Sequence, residues 1–259
     1  MKRTIKAVAL AALLPLALSG CGDDSSSNDD TGKSFAEKPA SEIRDAALKD
    51  IEDITSMTVV VRTEFGEHAL ESEISTDTEG RCVGTIQMGG GETRFVITGG
   101  DYYYTADEAF YKANTEADDE LAAAYDGKWF KTPSAGQAQY AEQCAPAEIT
   151  ENFSADDEFS VGDVREIDGQ DAIELISADQ SVTAWIAVEG RHHLLRLVLK
   201  PDVGDGGFGY TDQGSGAQST APFEGDEREG VVVTFTDYGK KVVAEVPSGD
   251  ILTDGDTGA

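Results

Sequence analysis

Met57-Thr58-Val59-Val60-Val61-Arg62-Thr63-Glu64-Phe65 marks the point where the chain's apolar period changes from helical to alternating. In an extended strand Val59, Val61, Thr63 and Phe65 share one face, and Val60, Arg62 and Glu64 share the other. Just upstream, Pro39 suits the first turn of a helix, where its missing N–H costs nothing. Ile43, Ala47, Ile51 and Ile54 follow at spacings of four, four and three. Glu42, Arg44, Asp45, Lys49 and Glu52 lie opposite that stripe, so the spacing predicts an amphipathic helix resting on a sheet.

Downstream the alternation recurs. Leu70/Ser72/Ile74, Cys82/Gly84/Ile86/Met88 and Phe95/Ile97 are separated by Gly66-Glu67, Thr78-Glu79-Gly80 and Gly89-Gly90-Gly91, and Gly99-Gly100 leads into Tyr102-Tyr103-Tyr104. Alternating segments joined by turn residues predict an antiparallel meander. Residues 107–125, rich in Ala, Glu and Asp, read as one or two short helices, and 134–144 as another. Strands return at 161–167, 172–177, 182–188, 193–199, 231–236 and 241–246. Between them, 203–230 carries eight glycines and reads as a flexible loop. Residues 248–259 read as an unpacked, disordered tail.

The N-terminus places Lys2, Arg3 and Lys6 before twelve apolar residues, 7–18, which end in Leu18-Ser19-Gly20-Cys21. Twelve residues fall short of the ~20 a helix needs to cross a bilayer, so 1–20 read as a signal peptide. The string looks like a bacterial lipobox, in which Cys21 receives diacylglycerol and becomes the first mature residue. Two acyl chains then hold the protein at the outer face of the cytoplasmic membrane. Residues 21–35 read as a flexible acidic tether, because 22–32 contain no apolar side chain. With Cys21 acylated, Cys82 and Cys144 remain, and in an exported chain a leftover pair reads as a disulfide.

Charge and residue inventory narrow the function. The chain carries 50 acidic and 20 basic residues, a net charge of −30, with no basic run. Nucleic acid binding, which needs clustered Lys and Arg against phosphates, is therefore excluded. There are three histidines, and adjacent His192 and His193 point to opposite faces of a strand, so they share no metal or substrate. Ser215 sits in a glycine-rich loop without the strand-to-helix turn of a nucleophile elbow. The residues thus suggest no catalytic machinery, no metal site and no cofactor, and point to a binding protein rather than an enzyme.

The lipobox, the amphipathic helix running into Met57, Cys82 opening a strand and paired with Cys144, and Gly127-Lys128-Trp129 resemble the LppX/LprG/LprA/LprF lipoproteins of actinobacteria. The resemblance covers roughly residues 36–247, and the order of elements carries most of it. It implies an α+β fold of the LolA/LolB-like type, a strongly curved antiparallel half-barrel whose concave face is covered by helices. It further implies an apolar cavity for a lipid, glycolipid or lipoglycan. The period-two positions that would face inward are Val59, Val61, Ile86, Met88, Phe95, Ile97, Val182, Ala184, Ile186, Leu195 and Leu197, with Tyr102, Tyr104 and Trp129 near the mouth. The competing reading is a non-enzymatic envelope scaffold that docks another protein and holds no lipid.

Replacing the lipidation residue tests the anchor. Cys21→Ala should release the protein from membranes after a salt wash, because no other segment replaces the acyl chains. A variant that still sediments with membranes overturns the lipobox reading.

Overall fold

The computed structural model describes residues 34–65, 68–133, 144–145, 150, 153, 158–200 and 230–253. A short 3-10 turn, Phe35–Glu37, leads to helix α1 (Ala40–Glu52) and then to strands β1 (Ser56–Phe65), β2 (His68–Asp77), β3 (Cys82–Met88), β4 (Gly91–Thr98) and β5 (Asp101–Ala106). Helices α2 (Glu108–Asn114) and α3 (Asp119–Tyr125) precede β6 (Trp129–Pro133). The second run comprises β7 (Phe159–Ile167), β8 (Gln170–Ser177), β9 (Val182–Ala187), β10 (Leu194–Leu199), β11 (Val231–Thr236) and β12 (Ile251–Thr253).

All twelve strands form one open, curved sheet in the order β12-β6-β5-β4-β3-β2-β1-β11-β10-β9-β8-β7. Curvature follows from size, since adjacent strands rotate by about 20–25° and the rotation accumulates across the sheet. Every pair is antiparallel except β12 on β6. Tight hairpins set the register: Gly99 and Gly100 both take positive φ, as do Asp168 and Gly169, the backbone that a two-residue turn between twisted strands requires.

Register also defines one continuous apolar face. Val161, Leu175, Ala184, Leu197, Val233, Val61, Ser72 and Ile86 are partners in succession from β7 to β3. A parallel row runs Phe235, Val59, Ile74, Gly84, Phe95, Tyr104, Phe130, Leu252 to the far edge. Gly84 has a packing reason, because a Cβ there would lie 2.4 Å from the Phe95 ring. The other face is largely polar, with one apolar patch of Ile167, Ala172, Trp185, Ala187 and Leu195.

The structure changes three of the expected boundaries. Residues 241–246 form no ladder, and Val243 and Val246 are 61% and 56% exposed. The chain spends that stretch travelling from β11 in mid-sheet toward the far edge. Part of the expected tail is instead strand: Ile251–Thr253 pairs with Trp129, Phe130 and Lys131, and Leu252 packs on the cluster around Tyr111 and Phe130. Trp129–Pro133, which carried no strand assignment from its sequence, forms β6. The signal peptide, Cys21, residues 21–33 of the tether, residues 134–143 of the helix expected at 134–144 and residues 203–229 of the loop at 203–230 lie outside the described residues.

Candidate functional site

Three groups of side chains cover the apolar face. On one half, Ile43 and Ala47 of α1 pack with Val59, Ile173, Leu175, Ala184, Ile186, Leu194, Leu197, Val233 and Phe235, and Phe153 joins them. Nearly all of these are inaccessible to solvent. At the other end α2 and α3 bring Tyr111 and Ala122 against Ala106 and Phe130. Both helices start on an aspartate whose carboxylate accepts a backbone N–H: Asp107 from Phe110 at 2.7 Å and Asp118 from Leu121 at 2.8 Å. Gly91 lets α2 sit directly on β4, since a Cβ there would lie 2.0 Å from the Phe110 nitrogen.

The third group is the disulfide. Cys82 and Cys144 are bonded, with Cα atoms 6.0 Å apart, and both are buried beside Phe95 and Ile97. The bridge pins Cys144 to β3, and the Thr76 hydroxyl donates to the Cys144 carbonyl.

Between these covers the floor is incompletely buried. Val61, Leu70, Ile74, Ile86 and Met88 are all half-buried, although register places them on the apolar face. An aromatic ladder borders them: Phe95 to Tyr102 at 6.0 Å, Tyr102 to Tyr104 at 5.7 Å, and Tyr104 to Phe130 at 5.2 Å between ring centroids.

The fourteen positions anticipated for ligand contact therefore divide. Twelve share the apolar face by register. Of these, Val59, Val182, Ala184, Ile186 and Leu197 belong to the close-packed half under α1, and Phe95 and Ile97 to the core around the disulfide. Val61, Ile86, Met88, Tyr102 and Tyr104 remain half-buried. Leu195 is on the opposite face beside Trp185, because the pairing of β10 with β9 shifts between Leu194 and Arg196 and inverts the alternation. Trp129 is also on the opposite face, since its neighbour Phe130 takes the inward position against Tyr104. Leu70 and Ile74 were missed as site residues, although their period-two spacing with Ser72 carried the signal.

Sequence reasoning also missed a groove of about 350 Å³ at one end of the sheet, lined by Asp168, Gln170, His193, Leu195, Phe235 and Tyr238 among others. Its residues come from three separate stretches of chain, which no linear motif announces. His193 stacks on Tyr238 with ring centroids 4.1 Å apart, and the Tyr238 hydroxyl donates to the Leu194 carbonyl. Burial pushes the Tyr238 phenol up. Burial likewise holds the His193 imidazole below its usual range, with Arg191 and His192 acting the same way and Asp50 opposing. His192 faces elsewhere, stacked on Phe35 at 3.5 Å, so the two histidines do diverge. Among the described residues no three His, Cys, Asp or Glu side chains are placed to hold a metal ion.

No protein-family model matches the chain, and no curated protein does. Among solved structures, MucB in complex with MucA(peri) aligns at 10% identity over 85% of this chain and 59% of that one, with a TM-score of 0.31. The Pseudomonas aeruginosa MucA/MucB complex aligns at 13% identity over 64% and 52%, with a TM-score of 0.30. The chain thus spans little more than half the length of either.

The groove makes stability depend on pH. Because the folded state lowers the proton affinity of His193, the unfolded chain binds more protons below about pH 6.5, and stability falls as pH drops through that region. His193→Phe, which keeps an aromatic ring against Tyr238, should flatten the fall of the urea midpoint below about pH 6.5. An unchanged slope would assign the effect to another group.

Proposed function

We propose that the chain is an envelope lipoprotein, acylated on Cys21 and held at the outer face of the cytoplasmic membrane, which binds an amphiphile on the half-open part of its apolar sheet face. In this reading the sheet is a half-barrel of the LolA/LolB-like type, and the helices lie over its concave side. The observation that carries the proposal is the half-buried floor of Val61, Leu70, Ile74, Ile86 and Met88, flanked by a close-packed half and an aromatic ladder. A close-packed scaffold has no reason to leave those five apolar side chains together at partial exposure.

The energetics suit an alkyl chain. Each methylene moved from water onto such a floor contributes about 0.8 kcal/mol, so a segment of about eight gains about 6 kcal/mol before ordering losses. The half-buried tyrosines Tyr102 and Tyr104 supply a polar end to the same surface, the arrangement that an amphiphile requires. The role is binding and carriage, not catalysis. A net charge of −30 keeps the protein off anionic headgroups, so acyl contact rather than charge attraction holds the ligand.

Titration of the mature, non-acylated chain with a fluorescent fatty-acyl probe tests the reading. Ile86→Glu should weaken the probe by at least about tenfold, about 1.4 kcal/mol, while Thr85→Glu on the opposite face should leave it unchanged. Failure of the wild type to take up the probe, or equal binding by both variants, would remove the carrier function.

A further inference from the structure

The two edges of the open sheet differ. One is β12, three residues long. The other is β7, nine residues long, on whose outer side no strand pairs among the described residues. Ser160, Val161, Asp163, Val164, Arg165 and Glu166 are exposed along it. Ala178 donates its N–H to the Glu158 carbonyl at 2.8 Å, so Glu158 and Ser160 turn their peptide groups toward β8. By alternation, the N–H and C=O groups of Phe159 and Val161 point away from the sheet.

The side chains add specificity. Residues three apart in a regular strand project to opposite faces, but Val161 pairs with Leu175 and Val164 with Ile173, three steps against two. This bulge returns both valines to the apolar face, where they are 39% and 47% exposed and extend the row through Ala184 and Leu175 to the edge. Gly162 sits in the bulge, and a Cβ there would lie 2.3 Å from the Glu174 carboxylate, which would have to shift.

Charge selects the occupant. Glu158, Asp163, Glu166 and Asp171 lie exposed on or beside β7, against Arg165. Bulges and charges commonly protect an edge from pairing with its own kind. Here the charge is mostly of one sign on a chain of net −30, so a second copy is repelled while a basic strand is attracted.

We propose that β7 is a docking edge for an extended basic segment of a partner protein. That segment adds as a further strand, sets apolar side chains against Val161 and Val164, and directs Lys or Arg toward Asp163 and Glu166. This surface is separate from the amphiphile site and stands without it.

The test is calorimetric titration of the full-length mature chain with an octapeptide alternating valine and lysine, and with its valine and glutamate counterpart. The basic peptide should bind, more weakly as salt rises, and the acidic one at least about tenfold more weakly. Val161→Pro removes an outward N–H, which an edge strand tolerates, and should reduce binding by at least about tenfold. Val164→Lys, a surface change that spares the backbone, should do the same. Equal binding of the two peptides, or undiminished binding by either folded variant, overturns the proposal. Self-association of the chain that Val161→Pro abolishes would also overturn it, by making the occupant a second copy.

Discussion

The constraint on which everything else depends is coverage of a single apolar face. Twelve strands spaced by ~4.8 Å, with about seven residues each at ~3.3 Å, present a face on the order of 1,300 Å². Helix α1 covers about 200 Å² of it, and α2 and α3 about 100 Å² each. The described helices therefore shield less than half of what the register exposes. The disulfide at Cys82 covers a further part beside Phe95 and Ile97.

The cover is unevenly distributed, and the division has a local cause in each place. Over β8–β11 the face is Val, Ile, Leu and Phe at matched heights, and Ile43 and Ala47 interlock with it at full burial. Over β4–β6 the face is aromatic, and two capped helices close onto it through the missing side chain of Gly91. Over β1–β3 small or polar positions intervene: Gly84 is overlain by Phe95, and Ser72 separates Val61 from Ile86. Helix α1 reaches Met57 and Val59 of β1, and beyond them the five apolar side chains of the floor stay half-buried.

Much of this was legible in the sequence. Strict alternation from Met57 onward, punctuated by paired glycines, located the meander and put twelve of the fourteen anticipated ligand positions on one face. Cysteine arithmetic found the Cys82–Cys144 bridge. Alternation failed where the ladder slips, so Leu195 was assigned inward although the shift beside Leu194 turns it outward. It also failed where a strand is too short to show a period, as with Ile251–Thr253, whose stability comes from Phe130 across the sheet. The sequence could not show which part of the face the helices leave open, because that depends on tertiary packing. The groove beside Tyr238 and the exposed edge were illegible for a related reason: both arise from strand order and register.

The apolar face is close-packed under α1 and under α2 and α3, and accessible over the floor between them. Methyl NMR of residues 22–259 with a soluble paramagnetic gadolinium chelate measures this directly. The methyl signals of Val61, Leu70, Ile74, Ile86 and Met88 should broaden, while those of Ile173, Ile186, Leu194 and Leu197 stay sharp. Uniform protection of both sets would mean a closed, fully packed face with no room for a ligand, and would contradict the account.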